Sequence, residues 1–176
     1  MECRHRGRPS ASPPEHNRTF YSALIRGTGG LPGNRAVTSA NENVAYRLAP
    51  YDAANALSLQ TPGASGTLLF AQPVETSELF ILGTSGNGAS SLTVTLNYAD
   101  GTTEEAGIYT VRDWSVRQPQ GDEAVTALGN ITRSNSQYSS DNHYCLFDFS
   151  VPVDADRLLE SVTFEANNTA YASVMA

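Results

Sequence analysis

The stretch SLTVTLNYADGT, residues 91–102, decides the fold class of this chain. Its apolar side chains occupy every second position from Leu92 to Tyr98, with Thr or Asn between them. Alternation with this period is typical of a β-strand that buries one face and exposes the other. Asp100-Gly101 follows at once and predicts a hairpin turn, because both residue types tolerate positive φ. Residues 105–111, EAGIYTV, are therefore expected to return as the partner strand.

The rest of the chain predicts further short strands. Residues 66–73 and 77–83 are near-continuous apolar runs bounded by Gly, Pro or Ser, which indicates strands that are buried on both faces or curled into a sandwich core. No segment shows a helical period over ten residues. Further strands are predicted at the segments NALSLQ (55–60), YCLFDFSVPV (144–153), ESVTFEA (160–166) and YASVMA (171–176). The pattern predicts an all-β fold, a β-sandwich or jelly roll.

The length of 176 residues fits one domain with a proper core. Residues 1–17 lack a hydrophobic period and are expected to form a disordered N-terminal segment, so the predicted single β-sandwich domain covers 18–176. Cys3 and Cys145 do not make a disulfide framework. Cys145 lies in an apolar strand pattern and is expected to be a small buried hydrophobe.

The net charge of −7 is unevenly distributed. Residues 1–35 carry six arginines against two glutamates, so the remainder of the chain is strongly acidic. An acidic folded body disfavours nucleic acid as a partner. No apolar stretch approaches the roughly 18 residues of a membrane-spanning helix, and no signal-peptide core is seen near the start.

The segment LGTSGNGASS, residues 82–91, raises the question of a nucleotide site. A P-loop needs a lysine to reach the phosphates, and this sequence contains no lysine. A dinucleotide loop needs Gly-x-Gly-x-x-Gly opening a helix, whereas here the spacing is reversed and a strand follows. The glycines therefore predict a turn between two strands.

Catalytic and metal sites receive little support from the sequence. His143 is the one histidine within a strand-rich region, and no Gly-x-Ser-x-Gly elbow accompanies it. Asp141, His143 and Cys145 would share one strand face, but no second ligand cluster supports a metal there. A structural calcium ion is compatible with this fold, although no Asp-x-Asp-x-Asp loop locates it. We expect no enzymatic activity and no cofactor.

Sugar binding on a β-sandwich needs an aromatic face for the pyranose ring and planar polar groups for its hydroxyls. Three short segments have that composition, VRDW, PYDAAN and QYSSDNHY, and the tip of the glycine loop adds an amide. The alternative for each aromatic is a capping role that closes one end of the sandwich. The predicted ligand-binding residues are Tyr51, Asn87, Arg112, Asp113, Trp114, Asn142 and Tyr144.

Several stretches together resemble a known type of module. They are PYDAANAL (50–57), TSGNG (84–88) before an alternating strand, YADGT (98–102), DW (113–114) and LLESVTFEANN (158–168). Over about residues 27–175 the chain resembles galactose-binding-like jelly-roll modules of secreted multidomain bacterial proteins, notably from Bacteroidetes.

The resemblance implies a non-catalytic carbohydrate-binding accessory module, located outside the cell or on its surface, with a glycan or polysaccharide as partner. It supplies no matched set of ligand residues. The alternative is a structural or adhesion β-sandwich that mediates protein contacts or spaces domains.

Overall fold

The computed structural model describes most of the chain beyond its first 29 residues. The described residues are 30–52, 54–115, 120–128 and 143–175, together with the backbone of short strands at 4–5, 19–20, 131–132 and 138–139. All regular structure within them is β-strand, which confirms the predicted all-β class. They accordingly include no helix that could cross a membrane. The segment predicted to be disordered, 1–17, lies outside the described residues except for the short strand at 4–5.

The described strands are numbered in chain order. They are β1 (Arg4–His5), β2 (Thr19–Phe20), β3 (Ala36–Thr38), β4 (Ala45–Arg47), β5 (Ala56–Leu59), β6 (Ser65–Val74), β7 (Glu78–Gly86), β8 (Ser90–Tyr98), β9 (Thr103–Val111), β10 (Glu123–Leu128), β11 (Ile131–Thr132), β12 (Tyr138–Ser139), β13 (Tyr144–Pro152), β14 (Leu159–Ala166) and β15 (Tyr171–Met175).

Two five-stranded antiparallel sheets form the body of the molecule. The first sheet has the order β1-β6-β14-β8-β9, and the second has the order β10-β13-β7-β15-β5. A smaller sheet, β12-β11-β2, and the hairpin β3-β4 accompany them. One hydrophobic core takes residues from both large sheets, so the architecture is the predicted β-sandwich.

The hairpin predicted at Asp100-Gly101 joins β8 to β9. Tyr98 and Thr102 pair across it, with Gly101 N donating to Tyr98 O (3.0 Å) and Tyr98 N donating to Thr102 O (3.0 Å). Only Gly101 has a positive φ, of 83°. The loop therefore has three residues with glycine in the left-handed position, a common hairpin geometry. Asp100 instead accepts a hydrogen bond from Thr102 N (2.9 Å).

The first core confirms the alternation on which the fold prediction rested. Every second residue of β8 is buried, and the residues between are half-buried on the outer face. Leu92, Val94 and Leu96 are completely inaccessible, and Phe164 of β14 packs with them. Leu57, Ile81, Val151 and Val174 reach the same core from the second sheet. Its burial is the main favourable contribution to folding.

Strand β7 is buried on both of its faces, as its near-continuous apolar run predicts. The same prediction was wrong for the other apolar run, because residues 71–73 of β6 are exposed. Ile81 belongs to the core between the sheets, whereas its neighbour Leu82 belongs to a second core on the other side of the second sheet. This second core is closed by residues that precede β5, and its buried members are Leu31, Val37, Leu48, Leu82, Trp114, Ala124, Leu128, Tyr144 and Leu146. Side chains of adjacent strand residues point to opposite faces, so β7 requires both apolar layers.

The two-sided burial of β7 can be tested with neighbouring truncations. Ile81→Ala and Leu82→Ala should each lower the free energy of unfolding by about 2–5 kcal/mol, because each removes a buried aliphatic side chain from a different core. Urea unfolding followed by circular dichroism measures the change. Leu158→Ala, at a site 46% exposed, is the control and should shift the value by about 0.5 kcal/mol or less. A large loss for only one of the pair would mean that β7 is buried on one face.

Candidate functional site

The glycine loop connects the two sheets. It leaves the second sheet at Gly86, the end of β7, and enters the first sheet at Ser90, the start of β8. Asn87 and Gly88 both have positive φ, of 62° and 102°. Residues with a Cβ resist this conformation, although asparagine tolerates it better than most. The turn predicted between two strands is confirmed.

The segment Arg112–Trp114 lies directly against this loop. Ser85 N donates to Arg112 O (2.9 Å), and Trp114 N donates to Ser85 O (2.7 Å). Asp113 then anchors the loop, because its Oδ2 accepts from Gly88 N (2.7 Å) while its Oδ1 accepts from Ser115 N (2.9 Å). A further bond runs from Ser85 Oγ to Gly88 O (2.8 Å). The carboxylate predicted to hold a sugar hydroxyl therefore holds the loop backbone.

Trp114 is buried, at 5% relative exposure, and Tyr144 is buried at 4%. Their ring centroids lie 5.0 Å apart with a tilt of 44°, and both belong to the second core. Aromatic pairs of this geometry add to the stability of a core. Both rings are too buried in this structure to stack on a pyranose, so the geometry does not support a sugar-stacking role for Trp114. The alternative of a capping aromatic fits the position.

Tyr51 also turns toward the second core. Its ring packs against that core half-buried, and its hydroxyl donates to Pro32 O (2.7 Å). Burial raises the pKa of the Tyr51 hydroxyl, and the charge of Arg35 partly offsets that rise. Tyr51 thus joins Trp114 and Tyr144 spatially, but inside the protein rather than around a cleft.

Arg112 is engaged with acidic side chains of the segment before β10. Its guanidinium bonds to Asp122, lies 3.7 Å from Glu123 Oε1, and stands 5.2 Å from the centroid of the Phe147 ring. Glu123 is 4% exposed and accepts from Gln120 N (2.8 Å) and Gly121 N (2.9 Å). Burial alone would raise the pKa of the Glu123 carboxyl, but these backbone donors and Arg112 outweigh it and hold that pKa below its usual range.

The two remaining predicted residues differ in their position. Asn87 lies exposed at the tip of the glycine loop, as expected for a residue facing a ligand. Asn142 lies outside the described residues. Among the described members of the predicted set, the structure therefore brings Asn87, Asp113 and Trp114 together at the glycine loop, and Asn87 alone is exposed to solvent.

A buried carboxylate that the sequence did not single out lies under the β3-β4 hairpin. Asp148 is 8% exposed and accepts from Tyr46 Oη (2.9 Å) and Asn41 Nδ2 (3.2 Å). Burial, the hydrogen bond to Asp148 and the charges of Asp148 and Glu42 raise the pKa of Tyr46 strongly. These partners are more than one hundred positions apart in sequence, so no local pattern could indicate them. The described residues contain no group of three His, Cys, Asp or Glu side chains placed to hold a metal ion.

The outer face of the first sheet is a surface of short polar side chains. Thr67 Oγ1 and Thr163 Oγ1 lie 2.8 Å apart, and Asn97 Nδ2 donates to Thr163 Oγ1 (3.0 Å). Asn167 Nδ2 donates to Thr93 Oγ1 (3.0 Å) on the same face. These are cross-strand contacts between residues paired in the sheet or next to it. At the β9 edge of this surface stands Ile108, 67% exposed.

The pH dependence of stability tests the role of Glu123. Its pKa is lower in the folded than in the unfolded state, so its charge stabilises the fold above the unfolded-state value of about 4.3, and this contribution is lost as the pH falls through the folded-state value. Glu123→Gln should cost about 1–3 kcal/mol at neutral pH, because the backbone N–H groups of Gln120 and Gly121 lose a charged acceptor. The variant should also show a flatter loss of stability on acidification.

Thermal unfolding measured between neutral pH and the acid range provides the comparison for Glu123→Gln. Glu160→Gln, at an exposed position of β14, removes the same charge without removing those bonds. An unchanged acid dependence in Glu123→Gln, or an equal change in both variants, would contradict the assignment.

Comparison with known proteins yields little similarity. No protein-family model matches the chain, and no curated protein matches it. Among solved structures, one described as "Structural and functional characterization of Pseudomonas aeruginosa AlgX" is similar over 69% of this chain and 26% of that one, with 11% identity and a TM-score of 0.37. The chain thus spans about a quarter of the length of that protein, and a likeness this weak supports no conclusion about fold or function.

Proposed function

We propose that this chain is a non-catalytic β-sandwich module that makes protein contacts, as a structural or adhesion unit. The observation that carries the proposal is the outer face of the first sheet, with its hydroxyl and amide side chains bonded to one another and Ile108 exposed beside them. An isolated apolar side chain on a neutral polar surface suits a protein partner that covers it.

The charges on the outer face of the first sheet favour a protein partner over nucleic acid or anionic lipid. The exposed ionisable residues of β9 and β14 are all glutamates, and no arginine lies on strands β6, β8, β9 and β14 of this sheet. Strands with only acidic charges do not attract the phosphates of nucleic acid or of anionic lipid. The hydroxyls satisfy one another, so the contact energy is expected to come from Ile108 rather than from polar bonds.

Carbohydrate binding is the second candidate, and exposed Asn87 is the observation that favours it. In this candidate the module is galactose-binding-like and extracellular, as the sequence resemblance implies, and sugar hydroxyls bond to the glycine loop. The burial of Trp114 and Tyr144 removes the aromatic platform on which most of the affinity would depend.

Self-association is the direct probe of the proposed contact face. In sedimentation experiments over a range of concentrations, wild-type chain should form a weak dimer. Ile108→Asp should weaken that dimer about tenfold or more, because burying this side chain contributes about 1.5–3 kcal/mol. Leu158→Asp, at the other exposed large hydrophobic residue (46%) of the described chain, is the matched control and should leave association unchanged.

A polysaccharide panel separates the two candidates. The wild-type chain and Asn87→Ala should be retained equally weakly on soluble and insoluble polysaccharides if the module binds proteins. Retention by one polysaccharide that is lost in Asn87→Ala would favour the glycan candidate. A wild-type chain that stays monomeric, or an Ile108→Asp dimer of unchanged strength, would count against the contact face.

A further inference from the structure

The tip of the glycine loop carries the one Asn-Gly pair in the sequence, Asn87-Gly88. Both residues are exposed to water, and both have positive φ. In such a pair the backbone nitrogen of the second residue can approach the side-chain carbon of the first with little hindrance, because glycine has no Cβ. No other described asparagine combines exposure with a following glycine.

The chemistry open to this pair is an intramolecular amide exchange. Hydroxide removes the Gly88 N–H proton, and the nitrogen attacks Asn87 Cγ, so a new N–Cγ bond forms. The Cγ–Nδ2 bond breaks, and the side-chain nitrogen leaves as ammonia with protons taken from water. Water then opens the cyclic imide at one of its two carbonyl groups, which yields aspartate or isoaspartate. The only co-reactants are water and hydroxide.

In this structure the attacking nitrogen is held by a carboxylate. Gly88 N donates to Asp113 Oδ2 at 2.7 Å, the short distance of a charge-assisted hydrogen bond. Loss of the Gly88 proton would place an amide anion beside a negative charge, so the bond disfavours the first step. The bond from Ser85 Oγ to Gly88 O (2.8 Å) restrains the same residue from its other side.

We infer that Asn87 is a site of spontaneous deamidation and that Asp113 controls its rate by holding the Gly88 N–H. Reaction becomes fast when this hydrogen bond opens. The product carries a new carboxylate on the residue next to the one that Asp113 holds, and like charges repel. Deamidation therefore keeps the loop detached once it has occurred. This inference does not depend on the proposed function.

Peptide mapping by mass spectrometry tests the inference on the intact folded chain incubated in mildly alkaline buffer. Asp113→Asn should deamidate at Asn87 about tenfold faster than wild type, the effect expected when a charge-assisted hydrogen bond to the Gly88 N–H is replaced by at most a weaker neutral one. Asp52→Asn, at an exposed position, removes the same charge and should leave the rate unchanged. Circular dichroism establishes that each variant is folded.

Two outcomes would overturn the inference. One is an equal rate at Asn87 in wild type and Asp113→Asn. The other is a wild-type rate that does not rise when the chain is unfolded in urea, because the folded loop would then give no protection. If Asp113→Asn does not fold, Ser85→Ala decides, since it removes the second restraint on Gly88 and should also accelerate deamidation. An unchanged rate in that variant would equally contradict the inference.

The detachment of the loop has its own readout. The start of the loop lies close to the Trp114 indole, because a Cβ placed on Gly86 would be 4.0 Å from Trp114 Nε1. Trp114 is the single tryptophan of the chain, so its emission reports on this contact. Deamidated protein separated by ion exchange should show a shifted tryptophan emission relative to the unreacted fraction. Identical spectra would disprove the detachment.

Discussion

The burial of β7 on both faces is the constraint on which the rest of the structure depends. Its apolar half, around Ile81 and Leu82, needs one core between the sheets and another outside the second sheet. Its polar half is buried as well, so Thr84 and Ser85 must find partners inside the protein. Thr84 Oγ1 donates to Cys145 O (3.2 Å), and Ser85 Oγ donates to Gly88 O. A strand with no solvent face thereby fixes both its neighbouring strand and the loop that follows it.

Strand β7 also explains why Trp114, a residue type suited to binding a sugar, lies in the core instead. The backbone of Ser85 bonds to Arg112 O and Trp114 N, and this pairing brings Trp114 into the second core beside Tyr144. Asp113 lies between them in sequence and faces the loop. Arg112 is drawn to Glu123 and Phe147 on the next elements. Arg112, Asp113 and Trp114 are consecutive in the chain, and each of them makes a different structural contact.

The sequence predicts local structure here far better than it predicts the site. The alternation from Leu92 to Tyr98 identifies the buried face of β8 without error, because it depends only on the period of a strand. The hairpin after β8 was predicted correctly, but the sequence does not specify its loop size, since Asp-Gly fits two-residue and three-residue turns alike. The burial of Trp114 agrees with the capping alternative, but local sequence could not decide for it, because the second core that includes Trp114 also includes Leu31 and Leu48, which are distant in sequence. The pairing of Asp148 with Tyr46 is hidden for the same reason.

The glycine loop is a short, compact crossing between the two large sheets. Only residues 87–89 separate the end of β7 in one sheet from the start of β8 in the other. The backbone turns through positive φ at Asn87 and Gly88, and Asp113 holds this turn by accepting the Gly88 N–H. Isoaspartate at residue 87 would add one methylene to the backbone, and in so short a loop this insertion would displace the ends of the two strands that the loop joins.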